Sequence, residues 1–438
     1  MAKRTYLRDI LSFLGSNLTV TFCNLTIGIL LTRMLGAAGF GLYSSIIVVP
    51  IMVIGFTQLG IRRSAIYHIG NKLLPEDHIV SALFILLLYT SALSIVICGF
   101  VYFFSQTQPF DPLIIVLVLL TIPLLLSNVF AGGIFLGRED IKQASLINAG
   151  PTLITLFLTV LFVLVLKLSV LGAFIAIALA NLIMVFFTYR IIIVKFKYNI
   201  TWKYHEGIMK SMIKLGLVNA IAIFIMQLNY RLDVLMLKKL SSLEEVGFYS
   251  LAMQIAEQLW HIPYAIEMIV LSRSANTQDD KFVHRTVASI FRVSLLIGCF
   301  GGLLIFFLAP ELVPVVFGHD FIRSVPMIQT VLPGILVLVG FRILNSRLTG
   351  MGKPQIAIYT FAPALVINFV LNLFLIPRFG GIGAAWSTNI SYAVGSFFFA
   401  IIYSRMVKMP VRDIFRYRRS DFYFFRDLRH RIAFKPKV

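Results

Sequence analysis

Residues 79–104 read IVSALFILLLYTSALSIVICGFVYFF and contain no charged side chain. A membrane-spanning helix needs about 20 mostly apolar residues, since each residue rises about 1.5 Å through a hydrocarbon core about 30 Å thick. This run is long enough to cross, and the same criterion finds further candidates along the whole chain. The twelve predicted spans are 10–32, 42–61, 79–104, 113–136, 146–166, 169–189, 215–237, 248–271, 287–308, 324–346, 355–376 and 381–403.

The composition excludes a large water-soluble enzyme and a disordered chain. Of the 438 residues, 59% are hydrophobic and 13% are charged, whereas soluble domains carry about 25% charged residues. So few charges cannot cover a water-facing surface of this size. Cys23, Cys98 and Cys299 all lie in apolar runs, which predicts neither a disulfide framework nor a cysteine metal site.

Lysine and arginine determine the predicted orientation, because cytoplasmic loops of membrane proteins carry an excess of both. If the chain starts inside, thirty of its 39 Lys and Arg lie in inner segments and six in outer ones. We therefore expect both termini in the cytoplasm. The net charge of +20 is then attributed to loops that face anionic lipid headgroups rather than to nucleic-acid binding.

Three short motifs recur in the same order in both halves of the chain, at equivalent helix ends. They are GLYS at 41–44 and GFYS at 247–250, LGR at 136–138 and MGK at 351–353, and LGA at 171–173 and IGA at 382–384. The recurrence predicts an all-α polytopic membrane protein with twelve transmembrane helices, arranged as two parallel-repeat six-helix bundles around a central cavity. The bundles would be residues 1–190 and 215–404, with a basic cytoplasmic linker at 191–214 and a basic, aromatic tail at 405–438.

Polar residues inside predicted spans are costly in hydrocarbon, so each invites a functional hypothesis. Gln254, Glu257 and His261 fall on one stripe of span 8, with Gln258 beside them. The stripe predicts a cavity-lining face on which Glu257 takes up and releases a proton or cation. The alternative is a buried polar cluster that fixes how two helices pack.

Several other spans carry polar side chains that we treat as candidates for the same cavity. They are Asn17 and Asn24 in span 1, Gln227 and Arg231 in span 7, Arg292 in span 9, and Arg342 and Asn345 in span 10. Interhelical hydrogen bonding is the alternative for the two asparagines of span 1, and structural ion pairing is the alternative for span 7. Asp233, on another face of span 7 from Arg231, is a second coupling candidate or the partner of a neighbouring helix. Arg292 and Arg342 lie near the inner ends of their spans, so extension of their side chains to the headgroups is an alternative.

Catalytic motifs are absent from the sequence. No Walker A loop, HExxH motif or His/Cys cluster occurs, so we predict no catalytic residue, no metal site and no cofactor. The predicted outer connections are short, which argues against a membrane glycan polymerase or ligase. The sequence leaves coupling to H⁺, to Na⁺ or to no ion open.

The tail 405–438 combines eleven Lys and Arg with Phe415, Tyr417 and a run of aromatic residues at 422–425. Basic residues interleaved with aromatic ones can bind single-stranded nucleic acid. At the cytoplasmic end of a membrane helix, they fit the anionic inner leaflet better. We therefore expect membrane lipids, and no nucleic acid, as the partner of the tail.

Taken in order, several passages resemble the polysaccharide-flippase branch of the MOP (multidrug/oligosaccharidyl-lipid/polysaccharide) exporter superfamily. They are LTRMLGAAGFGLYS at 31–44, RLD at 231–233, VGFYS at 246–250, TGMGKP at 349–354, Asn368, Asn372, IP at 376–377 and GGIGAA at 380–385. The resemblance covers nearly the whole chain. It is specific for the family and not for a substrate.

The resemblance implies a non-enzymatic, multi-pass transporter of bacterial (or archaeal) type in the cytoplasmic (inner) membrane, similar to O-antigen and capsule flippases. Such proteins move polyprenyl-pyrophosphate-linked oligosaccharides to the outer leaflet, where a glycan polymerase and a chain-length regulator would be partners. The nearest alternative is a cation-coupled multidrug exporter of the same superfamily, which would use Glu257 and Asp233 as ion sites. A membrane glycan polymerase and an assembly protein without cargo are the remaining alternatives.

Overall fold

The computed structural model describes residues 2–70, 75–104, 111–198, 206–260, 280–351, 353, 355–418 and 421. Every long regular element in these ranges is a helix. The α-helices are α1 (Ala2–Thr57), α2 (Ile61–Gly70), α3 (Glu76–Phe104), α4 (Pro112–Gly137), α5 (Ile141–Thr159), α6 (Ser169–Arg190), α7 (Glu206–Leu240), α8 (Leu243–Ala256), α9 (Asp280–Phe317), α10 (Ser324–Gly350), α11 (Gln355–Met406) and α12 (Val411–Phe415). Single π-helical turns extend α5 (Val160–Val165) and α6 (Ile191–Lys195), and 3₁₀ turns follow α8 (Glu257–Trp260) and precede α10 (His319–Arg323).

The two longest helices, α1 and α11, are each broken at a glycine. Within α1 the backbone leaves helical geometry at Gly36 (φ 65°, ψ −177°), and within α11 it does so at Gly380 (φ 54°, ψ −133°). Positive φ costs a glycine little and an ordinary L-residue more. Predicted spans 1 and 2, and predicted spans 11 and 12, are therefore joined through a glycine break rather than through a loop.

Membrane crossing is supported by length and composition. In the described part of the chain, nine helical segments are long and apolar enough to span a membrane. Because two of these segments each contain a pair of predicted spans, the nine hold eleven of the twelve. Predicted span 8 begins with α8 and continues into residues 261–271, which lie outside the described residues. The all-helical polytopic prediction is confirmed, whereas the twelve-span, two-repeat arrangement stays a prediction.

The outer surface of the helices is strongly apolar. Phe103 and Phe157 are 71% exposed and Phe307 is 70% exposed. A water-facing surface rarely carries contiguous patches of this kind, but lipid chains solvate them. The buried side of the same helices forms a continuous apolar core in which Tyr249 and Phe361 are completely buried.

Helix α1 packs against both α7 and α8 and so joins the first half of the chain to the second. The α1 and α8 backbones come into close contact at Gly41 and Gly247, the first residues of the repeated GLYS and GFYS motifs. A Cβ atom at Gly41 would lie 1.8 Å from the carbonyl oxygen of Leu243, and one at Gly247 would lie 2.1 Å from that of Ala37. Only glycine permits this backbone-to-backbone contact.

A second close contact joins the halves just beyond the other end of α1. Gly60, with φ +63°, lies against Gly216 of α7, and a Cβ atom at Gly216 would be 1.9 Å from the carbonyl oxygen of Leu59. Gln227 of α7, which lies against Gly55 of α1, follows the Gly216 contact along the chain, and Gln254 of α8, which lies against Gly28 of α1, follows the Gly247 contact.

Candidate functional site

Arg231 of α7 and Glu257 at the end of α8 form an ion pair. Arg231 Nη2 donates to Glu257 Oε2 at 3.0 Å, and the two side chains are 28% and 15% exposed. Glu257 Oε1 is buried and has no hydrogen-bond partner in the described structure. The structure thus brings together two residues that the sequence singles out separately, and it leaves part of the carboxylate without a donor.

Aromatic side chains continue the site from this ion pair. The rings of Tyr230 and Trp260 lie 5.0 Å apart between centroids, and Tyr392 meets Tyr230 edge to face at 6.0 Å. The guanidinium carbon of Arg342 lies 5.5 Å from the centre of the Trp260 ring, within the range of a cation–π interaction. We call Tyr230, Arg231, Glu257, Trp260 and Arg342 the cation–aromatic cluster.

The cluster combines chemistries that suit a phosphorylated sugar. Guanidinium groups bind phosphate oxygens through paired hydrogen bonds. Aromatic rings offer a large flat surface with a polar edge. Trp260 and Tyr392 were not predicted from sequence, because an isolated aromatic residue in a membrane helix carries no distinguishing pattern.

Other predicted site residues lie between α1 and the second half of the chain. Gln254, one turn before Glu257, donates from Nε2 to the carbonyl oxygen of Asn24 at 3.1 Å. Its side chain fills the space beside Gly28, where a Cβ atom would lie 2.3 Å from Nε2. Gln227 of α7 lies similarly against Gly55. Gln227 and Gln254 therefore line the contact with α1, each about one helical turn before its member of the Arg231–Glu257 pair.

Asn17 has a different neighbour. Its side-chain oxygen accepts a hydrogen bond of 2.9 Å from Asn148 Nδ2 in α5, and Asn148 Nδ2 also donates to Ser16 Oγ at 3.2 Å. Asn17 Nδ2 is buried without a partner in the described residues. This contact matches the interhelical bonding that the sequence left open beside cavity lining.

Asp233 is completely buried and lies in a separate network. Its Oδ2 accepts from the Tyr249 hydroxyl at 2.8 Å and from Thr388 Oγ1 at 2.6 Å, and its Oδ1 accepts from Asn372 Nδ2 at 2.5 Å. Asn372 Nδ2 also contacts Asn368 Oδ1 at 3.0 Å. Three neutral donors surround the carboxylate, so the network joins α7, α8 and α11. Asn368 and Asn372, noted in the sequence only as part of a family resemblance, are members of it.

The remaining predicted site residues, Arg342, Asn345, Arg292 and His261, do not all lie in one place. Arg342 joins the cluster through Trp260, and Asn345 lies one turn further along α10 with a buried Oδ1 that lacks a partner among the described residues. Arg292 lies elsewhere, because its guanidinium binds the carboxylate of Asp421. His261 lies outside the described residues. Within the described ranges, no group of three or more His, Cys, Asp or Glu side chains could hold a metal ion.

The family described as polysaccharide biosynthesis protein matches residues 30–326, well over half of the chain. The chain belongs to this polysaccharide biosynthesis family. The match includes the Gly41 and Gly247 motifs and the Arg231–Glu257 pair, and it confirms the resemblance drawn from the sequence.

Curated relatives of this polysaccharide biosynthesis protein align over part of their length. A protein of Haloferax volcanii named as a low-salt glycan biosynthesis flippase, Agl15, is 26% identical over 185 residues, which are 41% of this chain and 38% of the relative. A protein of Shigella flexneri named as an O-antigen transporter is 27% identical over 176 residues, 40% of this chain and 42% of the relative. The aligned stretches therefore span less than half of each relative.

Solved structures show that the fold of this polysaccharide biosynthesis protein is shared with transporters. The lipid II flippase MurJ in an inward closed conformation aligns over 95% of both chains with a TM-score of 0.75 and 13% identity. An inward-facing MATE family multidrug resistance transporter of the MOP superfamily aligns over 89% of this chain and 94% of its own, with a TM-score of 0.73 and 14% identity. At such identity the likeness shows the fold alone.

Proposed function

We propose that this protein is a flippase that moves a polyprenyl-pyrophosphate-linked oligosaccharide from the cytoplasmic to the outer leaflet of a bacterial inner membrane by alternating access. The carried unit would belong to an O-antigen, a capsule or an exopolysaccharide. The observation that supports this most directly is the cation–aromatic cluster, two arginines and two aromatic rings among membrane-spanning helices of a polysaccharide biosynthesis protein. The proposal includes cytoplasmic termini, as the distribution of Lys and Arg predicts.

The chemistry of such a substrate defines what the protein must supply. Burying a charged or hydroxyl-rich headgroup in hydrocarbon without partners costs several kcal/mol or more. Arg342 and Arg231 would provide cations to the pyrophosphate, and Tyr230 and Trp260 would provide surfaces for sugar rings. The polyprenyl tail would remain in the surrounding lipid.

Glu257 controls whether the Arg231 guanidinium is available to bind substrate. Arg231 is neutralised by Glu257 at 3.0 Å in this conformation, so a pyrophosphate would have to compete with the carboxylate. Protonation of Glu257 would remove that competition and favour the substrate. We therefore assign Glu257 the coupling role, with Asp233 as the second candidate because it is a completely buried acid of α7.

The test is translocation in proteoliposomes loaded with a polyprenyl-pyrophosphate oligosaccharide. Arg342→Ala is expected to reduce the initial rate at least tenfold, whereas Arg378→Ala, which removes an exposed arginine of α11, should leave the rate unchanged. Glu257→Gln should abolish stimulation by a pH gradient. Equal rates in Arg342→Ala and Arg378→Ala would contradict the assignment of the cluster.

A second candidate is a cation-coupled multidrug exporter. It is favoured by the shared fold with MATE transporters and by the two acids, Glu257 and Asp233. The same proteoliposomes discriminate between the two functions. Export of a cationic dye against a gradient, with no movement of lipid-linked oligosaccharide, would replace the flippase by the exporter.

Partners follow from the fate of the product. An oligosaccharide delivered to the outer leaflet is a substrate for polymerisation there, so a glycan polymerase and a chain-length regulator are the partners we propose. No surface of the described structure identifies them.

A further inference from the structure

The chain beyond α11 is fastened to α9 by a buried salt bridge. Arg292 Nε donates to Asp421 Oδ2 at 2.7 Å and Arg292 Nη2 donates to Asp421 Oδ1 at 2.6 Å. The two side chains are 4% and 1% exposed. A bidentate, desolvated pair of this kind holds a specific geometry, and losing one partner leaves a buried charge without compensation.

The same arginine also binds the backbone of the segment. Its Nη1 donates to the carbonyl oxygens of Asp413 and Ile414, both at 3.0 Å. In return the Tyr417 hydroxyl donates to the carbonyl oxygen of Arg292 at 3.2 Å. All donor nitrogens of the Arg292 guanidinium are thus engaged by residues 413–421, which explains why an arginine is placed so near the end of a membrane helix.

Apolar contacts support this attachment. Ile414 is completely buried, and the ring of Phe415 meets Phe291 edge to face at 5.1 Å between centroids. The chain turns into this position at Lys408, whose φ of +52° departs from helical geometry. We call residues 407–418 together with Asp421 the docked segment.

The exposed surface of the docked segment and of the last turn of α11 is cationic. Five of the eleven Lys and Arg of residues 405–438 lie in the described part of the chain, and all five are exposed: Arg405, Lys408, Arg412, Arg416 and Arg418. Phe415 and Tyr417 are 47% and 46% exposed beside them. Asp413 offsets a single charge through an exposed pair with Arg418 at 3.2 Å.

We propose that the docked segment is a built surface for anionic lipid headgroups of the membrane in which the protein lies, with the Arg292–Asp421 salt bridge as the latch that holds it. Its cations match the charge of an anionic lipid surface. The exposed aromatic rings suit the interface between headgroups and acyl chains. With the C-terminus in the cytoplasm, as the proposed function has it, these headgroups are those of the cytoplasmic leaflet.

The test measures hydrogen–deuterium exchange of residues 407–418 in the full-length protein. The protein is placed in nanodiscs of phosphatidylcholine alone, or of equal parts phosphatidylcholine and phosphatidylglycerol. Exchange is expected to be about tenfold slower in the anionic discs, and high salt should remove the difference because it screens the charges. Equal exchange in the two lipids would overturn the proposal.

Two charge-neutralised variants assign the effect to the segment. Replacing Arg412, Arg416 and Arg418 together by Gln should abolish the lipid dependence. The matched triple variant at Lys142, Lys210 and Lys214, which are also exposed, should retain it. Equal loss in both triple variants would show a general effect of charge and would overturn the assignment.

A third comparison separates the latch from the lipid surface. Asp421→Asn should speed exchange of the segment several-fold in both lipids, whereas Asp413→Asn removes only the exposed pair and should not.

Protection by a single-stranded oligonucleotide in neutral discs, without protection by phosphatidylglycerol, would replace the lipid by nucleic acid as the partner.

Discussion

Gly41 and Gly247 lie against each other's helices so closely that the α1 and α8 backbones are in direct contact. A Cβ atom on either would fall within 2.1 Å of a backbone carbonyl oxygen of the other helix. The two residues open the repeated motifs GLYS and GFYS. The motif repeat therefore corresponds to a physical contact between the halves of the chain.

Gly41→Ala should separate α1 from α8 and destabilise the protein. The added methyl group meets backbone, which cannot rotate away, so a loss at or above the usual overpacking cost of about 1–3 kcal/mol is expected. Gly99→Ala in α3 is the matched control, since a Cβ atom there meets nothing within 4 Å. The measurement is thermal unfolding in detergent, and equal melting temperatures for the two variants would contradict the contact.

Arg231 and Glu257 should behave as a coupled pair. Arg231→Ala and Glu257→Gln are each expected to destabilise the protein, and the double variant should lose less than the sum of both. The coupling should be about 1–3 kcal/mol, between the values for exposed and for buried pairs, because both side chains are partly exposed. A double-mutant cycle of chemical unfolding measures it, and strict additivity would show that the pair contributes nothing.

Asp233→Asn should destabilise the junction of α7, α8 and α11. The carboxylate accepts three hydrogen bonds, and the amide nitrogen of asparagine would face one of these donors. The free energy of unfolding should therefore fall by about 2–4 kcal/mol. Thr388→Val removes one donor only and should cost about 1–2 kcal/mol. Unfolding of both variants in the same detergent compares the two. Wild-type stability of Asp233→Asn would indicate that the acid is already protonated.

The helices could be predicted from the sequence because the bilayer imposes a length on every apolar run. The breaks at Gly36 and Gly380 could not, since a glycine within an apolar stretch is common in membrane helices. Each break is defined by the backbone dihedral angles of its glycine, and local composition does not specify those angles.

The candidate site could be predicted in part. Charged residues in apolar runs are conspicuous, so Arg231, Glu257 and Asp233 stand out without a structure. Their partners do not, because Arg231 and Glu257 are on different helices and Asp233 is bound by uncharged donors from α8 and α11. Arg292 illustrates the same limit, since its partner Asp421 lies 129 residues further along the chain, beyond α10 and α11.

Acidification should open the Arg292–Asp421 latch. Burial raises the pKa of the Asp421 carboxyl, but the hydrogen bonds from Arg292, the backbone N–H of Arg418 and Ser289 outweigh it, and the pKa lies below its ordinary value. A carboxyl with a lowered pKa stabilises the folded state fully above the unfolded value of about 3.9, and this contribution is lost as the pH falls through the lowered value.

The latch should therefore hold above about pH 4 and release the docked segment only at more acidic pH. Cleavage of the detergent-solubilised protein by pepsin between about pH 2 and pH 5 measures this, with peptides from residues 407–421 as the readout. Asp421→Asn should be cleaved there across the whole range, because its side chain carries no charge at any of these values. Asp413→Asn should follow the wild type. Release of the wild-type segment well above pH 4 would show that Asp421 is not the group that holds it.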